Sequence, residues 1–258
     1  QDQREAATSL GVVITDFDGV AGNEIFVGND MKPNQLWKFA ETSGWQDIAA
    51  IKGCAFSFTG ASTASMGIAA GDLTNNGSLD LHITNYQNEC ASLFLNNREM
   101  FTDRHLGFKI AEESARVLGF GSQTIDYDND GFRDLVVTNG HIDDAIENKG
   151  GFKQPAQLFI NAGNEFRLGS VTDASGYWES GHLGRALATL DYDSNGLLDF
   201  VVTHIEEPTA LLLNKTETGN HWIQLQLTGT DSERDAIGAR IEITIGNQKY
   251  TDWAKCIC

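Results

Sequence analysis

Four carboxylates stand at the first, third, fifth and ninth positions of Asp126-Tyr-Asp128-Asn-Asp130-Gly-Phe-Arg-Asp134. Alternate residues of a tight turn aim their side chains at one centre. A hard cation such as Ca²⁺ takes roughly six to eight oxygen ligands at about 2.3–2.6 Å. At the seventh position Phe132 has only its backbone carbonyl to offer, and Gly131 supplies the sharp turn after the third Asp. Without a cation the stretch is costly, because two carboxylates about 4 Å apart repel by on the order of 4 kcal/mol at an effective dielectric of about 20. The competing reading is a polar turn whose Asp and Asn side chains make ordinary turn hydrogen bonds.

Recurrence favours the cation. Asp191-Tyr-Asp193-Ser-Asn195-Gly-Leu197-Leu-Asp199 repeats the spacing with Asn in fifth place. Asp72-Leu-Thr74-Asn-Asn76-Gly-Ser78-Leu-Asp80 keeps the two outer Asp residues. Asp16-Phe-Asp18-Gly-Val20-Ala-Gly-Asn-Glu24 keeps acids at the first, third and ninth positions, but Val20 has no side-chain oxygen. The expected ligands are the side chains at positions one, three, five and nine, with the position-seven carbonyls of Phe132, Leu197 and Ser78. That makes up to four Ca²⁺ sites. By charge the Asp126 loop should bind most tightly and the Asp191 loop next, with the Asp72 and Asp16 loops weakest. The loop starts lie 56, 54 and 65 residues apart, and self-similarity on this scale marks a repeat architecture.

Each loop needs strands to hold it. Short apolar runs precede the loops (Val12–Ile14, Ile68–Ala70) and follow them (Ile25–Val27, Leu81–Ile83, Leu135–Val137, Phe200–Val202). A third strand comes next in each unit, at Leu36–Phe39, Leu93–Asn96, Leu158–Asn161 and Leu211–Asn214. More polar segments near Asp47–Ile51, Phe101–Arg104 and Phe166–Val171 close three of the units. A small residue stands five positions before each loop: Gly11, Gly67, Gly121 and Ala186. Four short antiparallel strands per unit, repeated radially, predict an all-β fold, a β-propeller of four-stranded blades with four recognisable repeats. The repeats fall at about 5–60, 61–115, 116–178 and 179–217, within a propeller of 1–217. From Gly219 onward the pattern changes. Trp222–Leu227 and Ile241–Ile245 alternate apolar and polar residues as half-buried strands do, and Gly246-Asn247 reads as a hairpin turn. Residues 218–258 thus read as a small separate β module, whole or incomplete.

Composition sets the outer limits. The 258 residues are 41% hydrophobic, enough for a sizeable core. The net charge of −18 excludes the clustered basic surface that nucleic acid requires. No apolar run approaches the roughly 20 residues of a membrane span. With no signal peptide and Gln1 only a few residues from a core strand, the chain reads as a mature product or a fragment. Cys54 and Cys90 either pair in an oxidising compartment or stay as buried thiols. Cys256 and Cys258 sit at the extreme end.

The four loops with their flanking strands resemble FG-GAP or VCBS repeats, the units of integrin-type and related calcium-loop propellers. The tail Gly219-Asn-His-Trp222 with Arg234-Asp-Ala-Ile-Gly-Ala-Arg240 resembles the ASPIC/UnbV module of the cartilage acidic protein-like family. This resemblance implies a secreted, extracellular or periplasmic protein that acts by adhesion, with Ca²⁺ structural in the blade loops and a protein or glycan as partner. Val20 and Thr74 depart from the family's ligand pattern. Relatives typically carry seven blades, so four recognisable repeats imply truncation or a smaller ring.

The alternative from another class is a lectin or carbohydrate-active enzyme on the same scaffold. Enzyme signatures are weak. Gly119-Phe-Gly121 lacks the third glycine of a dinucleotide fingerprint, and no Gly-x-Ser-x-Gly occurs. Asp143, Asp144 and Glu147, in the polar insertion Gly140–Gln154, have the types of an acid–base pair but no fixed separation. His141 and His204 follow second strands in neighbouring units and are expected to be structural. Asn76-Gly-Ser and Asn214-Lys-Thr are glycosylation sequons on paper, the former discounted because Asn76 is a candidate ligand.

Overall fold

The computed structural model describes residues 7–144, 151–171, 173, 175–254 and 256–257. Glu147 and Cys258 lie outside the described residues. The chain forms antiparallel sheets in the predicted order. Blade 1 comprises β1 (Ser9–Thr15), β2 (Glu24–Asn29), β3 (Gln35–Ala40) and β4 (Gly44–Asp47). A one-turn helix, α1 (Ala49–Lys52), follows it. Blade 2 comprises β5 (Ile68–Gly71), β6 (Asp80–Ile83), β7 (Ser92–Asn96) and β8 (Phe101–Asp103). After the short α2 (Ala111–Ala115), blade 3 comprises β9 (Gly119–Ile125), β10 (Asp134–Asn139), β11 (Gln157–Asn161) and β12 (Phe166–Leu168). Blade 4 has three strands among the described residues: β13 (Gly184–Leu190), β14 (Asp199–His204) and β15 (Ala210–Leu212). The arrangement is a four-blade β-propeller. No helix of the described residues is long and apolar enough to cross a membrane.

The innermost strands β1, β5, β9 and β13 lie side by side in chain order. Because successive strand residues face opposite sides, blades 2 and 3 each bury one face against the preceding blade and the other against the following one. Phe26 and Leu36 of blade 1 meet Leu81 and Phe94 of blade 2. Ala69 and Leu93, on blade 2's other face, meet Leu135 and Phe159 of blade 3. Val136 and Leu158 of blade 3 then meet Leu187 and Phe200 of blade 4. Two-sided burial explains why these strands read as unbroken apolar runs.

The small residue before each loop marks where the next blade's inner strand crosses. A Cβ on Gly67 would stand 1.8 Å from the Phe120 carbonyl oxygen, and one on Gly121 would stand 2.7 Å from the Arg185 carbonyl oxygen. Ala186, the equivalent in blade 4, is exposed and carries its methyl group freely.

The tail departs from expectation. Trp222–Leu227 forms no strand, and Trp222, Ile223, Leu225 and Leu227 are exposed. An alternating segment becomes a strand only beside an edge that accepts its hydrogen bonds and an apolar surface that covers one face. Trp222 instead lies flat over Gly196, where a Cβ would come within 1.9 Å of its indole nitrogen. The predicted hairpin does form, as β16 (Arg240–Ile245) and β17 (Gln248–Trp253). It packs on the propeller. Trp253 is buried in the seam between blades 1 and 2, Tyr250 lies against Gly131, and Arg133 pairs with Asp252 at 2.7 Å. The last strand, β18 (Cys256–Ile257), adds antiparallel to β1 and makes blade 1 five-stranded. In blade 1 the outer strand ends at Asp47, where the sequence places its start, and Ala49–Lys52 is helical. Cys54 and Cys90 are free thiols, and burial pushes the Cys54 thiol up to about 12.

Candidate metal centre

All four candidate loops connect the first strand of a blade to its second, on one end of the propeller. Three of them share a backbone frame. The side chain at position one accepts the N–H groups of positions five and six. Asp126 does so from Asp130 at 2.9 Å and Gly131 at 3.0 Å, Asp191 from Asn195 at 3.0 Å and Gly196 at 2.9 Å, and Asp72 from Asn76 at 3.0 Å and Gly77 at 2.8 Å. Position four is left-handed in each, at Asn75, Asn129 and Ser194, and so is the glycine in sixth place. Two consecutive reversals of this kind within three residues favour Asn or Ser followed by Gly.

Position nine is the buried anchor. One oxygen of Asp80, Asp134 and Asp199 accepts the N–H of position two, at 2.9, 2.8 and 2.8 Å. The other accepts the backbone N–H of Asn96, Asn161 and Asn214 at the end of the third strand, at 2.7, 2.8 and 2.7 Å. Those asparagines also reach across the seam. Each amide donates to the position-two carbonyl of the preceding blade's loop, Asn96 to Phe17 at 2.8 Å, Asn161 to Leu73 at 2.8 Å and Asn214 to Tyr127 at 2.9 Å. The Asp72 and Asp126 loops are thereby tied both to their own third strand and to the next blade, the Asp16 loop to the next blade and the Asp191 loop to its own third strand. Sequence reasoning placed these asparagines on strands without seeing this role; their recurrence at the end of each third strand was the available signal.

The carboxylates converge at three loops. Oxygens of Asp126, Asp128 and Asp134 lie within 4.8 Å of one another, as do those of Asp191, Asp193 and Asp199, and those of Asp16, Asp18 and Glu24. Asp130 is not in that cluster; its carboxylate accepts the Phe132 N–H at 2.8 Å. At the same position Asn76 and Asn195 accept from Ser78 and Leu197 and donate to the carbonyls of Asn96 and Asn214, both at 3.1 Å. Asp130 has no N–H for that second bond, so its remaining oxygen is uncommitted to the third strand. The Asp72 loop has two acids only, and the Thr74 hydroxyl at position three is buried beside the Asp80 carboxylate, whose charge it favours.

Electrostatics separates the loops. Burial pushes the Asp134 carboxyl up to about 7 and Asp80 up to about 8, against the backbone N–H bonds that favour their charge. Burial also raises Asp72, Asp126 and Asp130. The Asp16 loop contains its own cation. The Lys38 ammonium, from β3, bonds Asp18 and also Glu24, the latter at 3.0 Å. Its turn differs too, with Gly19 donating to Asp16 at 2.7 Å and Val20 to Asp18 at 3.0 Å. In the Asp191 loop the exposed Lys215 pairs with Asp193. Among the described residues no Lys or Arg forms an ion pair with Asp126, Asp128 or Asp134; the neighbouring Arg133 is engaged by Asp252.

The donor set therefore fits a hard divalent cation best at the Asp126 loop, where convergent carboxylates have no ion-pair partner among the described residues and the nearby Arg133 is engaged by Asp252. The buried Thr74 hydroxyl, beside the Asp80 carboxylate, fits the same chemistry at the Asp72 loop. No family model matches the chain, and no curated protein is significantly similar to it.

Proposed function

We propose that the protein is an extracellular, calcium-stabilised β-propeller of FG-GAP/VCBS type that serves as an adhesion or partner-binding module. The observation that carries this reading is the unneutralised Asp126–Asp128–Asp134 cluster on a frame repeated in three blades. Asp126, Asp128 and Asp134, with Asp130 and the Phe132 carbonyl, would hold one ion. Asp191, Asp193 and Asp199 with Asn195 and the Leu197 carbonyl would hold a second. Asp72, Thr74, Asn76 and Asp80 with the Ser78 carbonyl form a weaker candidate, and Asp16, Asp18 and Glu24 one that Lys38 already serves. Bound Ca²⁺ supplies the positive charge that lets buried carboxylates stay ionised.

The protein's own residues turn that charge into rigidity. Position nine is bonded to the third strand, and the third-strand asparagine to the preceding blade, so fixing a loop fixes a seam between blades. A propeller held in this way offers its partner a stable surface. The acidic balance and the absence of a basic cluster leave nucleic acid out of that role.

A glycan ligand is the second reading. Phe39 and Trp45, on neighbouring strands of blade 1, are 55% and 50% exposed, with ring centroids 5.5 Å apart. Exposed ring pairs of this kind offer apolar faces to sugars.

Thermal melting in Ca²⁺ and then in chelator tests the main proposal. Free Ca²⁺ at about 1,000 times its dissociation constant adds roughly 4 kcal/mol per site. The midpoint should fall on chelation and return on adding Ca²⁺. An unchanged midpoint refutes a structural role for the ion.

A further inference from the structure

The end of blade 4 opposite its acidic loop holds a different set of donors. His182 precedes β13, His204 ends β14, and Glu207 lies in the turn that follows; one donor atom from each lies within 4.8 Å of the others. Gly184 and His204 are paired across the ladder, which fixes the two histidines side by side at the blade's edge. Glu206 takes a left-handed backbone, φ 65°, and this turns the chain so that Glu207 faces back toward the rings. A strand of β13's length separates the cluster from the Asp191 loop by about 20 Å, at about 3.3 Å per residue.

The hydrogen bonds assign the ring protons. His204 Nδ1 is 2.9 Å from the Pro208 carbonyl oxygen, an acceptor only, so Nδ1 carries hydrogen and Nε2 presents its lone pair. That lone pair receives the Tyr177 hydroxyl at 2.9 Å. His182 Nε2 is 3.1 Å from the Tyr177 carbonyl oxygen. Its Nδ1 faces Glu207 Oε2 at 2.7 Å. A neutral imidazole has one N–H and can serve only one of these acceptors, whereas a metal ion on Nδ1, shared with Glu207, leaves the N–H for the carbonyl. The Lys153 ammonium bonds the other Glu207 oxygen and leaves Oε2 for the rings.

We propose that His182, His204 and Glu207 form a binding site for a divalent ion of the Zn²⁺ class, separate from the calcium loops. Two imidazoles with one carboxylate suit Zn²⁺, Ni²⁺ or Cu²⁺, whereas Ca²⁺ is held by oxygen. Each histidine has its far ring nitrogen within hydrogen-bond distance of a backbone carbonyl, the outer contact that orients metal-bound imidazole and fixes its tautomer. Tetrahedral ligands at about 2.0–2.2 Å from zinc stand roughly 3.3 Å apart, so the donors need adjust by no more than about an ångström. Tyr177 stacks on His182, centroids 4.2 Å apart, and its hydroxyl must leave His204 Nε2, where it becomes a partner for a water in the fourth position.

The test is calorimetric titration of Zn²⁺ into the full chain with Ca²⁺ at saturation. His204→Asn installs the residue that Asn29, Asn85 and Asn139 place at this point of the other blades, so the fold should tolerate it. Glu207→Gln is a second variant should the first fail to fold, and Asp128→Asn is the control for the loops. One Zn²⁺ per chain is expected, weakened about tenfold or more by H204N and by E207Q and unchanged by D128N. Co²⁺ in place of Zn²⁺ should give a visible absorption band that H204N abolishes. If the wild type takes up no more Zn²⁺ than H204N and E207Q do, the cluster is an ordinary hydrogen-bonded group and the proposal fails. Loss of Zn²⁺ binding in D128N would put the metal in the acidic loops and equally overturn the proposal, while leaving the calcium reading standing.

Discussion

Removing the side chain of Asn161 should weaken the seam between blades 2 and 3 out of proportion to its size. The residue is 2% exposed. Its amide nitrogen donates to the Leu73 carbonyl at 2.8 Å and the Arg133 carbonyl at 2.9 Å, and its oxygen accepts the Gly163 N–H at 2.8 Å. Alanine removes all three bonds. Leu73 is fully buried, so its carbonyl has no water to turn to, whereas Gly163 is half-buried and recovers part of its loss. At about 1–1.5 kcal/mol for each bond, more where a buried group is stranded, the cost comes to about 3 kcal/mol. For a chain of this size that is a drop of about 6–12 °C in melting temperature, at roughly 2–4 °C per kcal/mol. Urea denaturation of the wild type and N161A at saturating Ca²⁺ measures it. Asn161→Asp separates donor from acceptor, because a carboxylate still accepts from Gly163 but cannot donate to either carbonyl. N161D should be at least as destabilised as N161A. A loss below about 1 kcal/mol in both would refute the claim that these amides hold adjacent blades together.

Two further outcomes follow from buried charge. His82 is fully buried, bonded through Nδ1 to the Ser122 hydroxyl at 2.8 Å, and burial lowers it to about 4 from an ordinary value of 6.5. The folded state therefore favours neutral His82. Its contribution is complete above pH 6.5 and is lost as pH falls toward 4, by about 3 kcal/mol at 1.36 kcal/mol per unit of pKa. Asp134, raised to about 7, acts in the opposite sense without metal, since protonation relieves it as pH falls, so the comparison must be of wild type with His82→Gln. The variant should lose less stability between pH 7 and 4.5 in circular-dichroism melts, and parallel losses would contradict the assignment. Lys38→Met removes the internal cation of the Asp16 loop and should cost about 2 kcal/mol in chelator, between the values for exposed and buried ion pairs. Added Ca²⁺ should recover part of that loss, so the gap between melts in Ca²⁺ and in chelator widens. A gap unchanged from the wild type would show that Lys38 does not stand in for a metal.

The blades were legible because their signals are local. An apolar run, a nine-residue acidic loop and another apolar run lie within about 20 residues of one another, and both the strand order and the loop positions follow from that pattern. What escaped was made by groups far apart in the chain. Lys38 reads as a residue of the third strand, and only pairing in the sheet brings its ammonium to Asp18 and Glu24. The asparagine bridges span 79, 88 and 87 residues. Trp222–Leu227 had the periodicity of a strand, but periodicity states which face would be buried and not whether a neighbouring edge exists to pair with. The placement of β18 on β1 carries no signal in two residues. His204 and His141, both read as structural, are hydrogen-bonded, to Tyr177 and to Tyr86 respectively, and the approach of His182 and Glu207 to His204 had no sequence signal.

Calcium titration of the metal-stripped chain by calorimetry, repeated on Asp128→Asn and Asp18→Asn, tests the central claim most directly. The Asp126 loop brings three carboxylates together with no ion-pair partner among the described residues, whereas the Asp16 loop is already served by Lys38. The tightest binding event should therefore vanish in D128N and persist in D18N. No binding to the wild type, or a tightest event that survives D128N and is lost in D18N, would contradict the account.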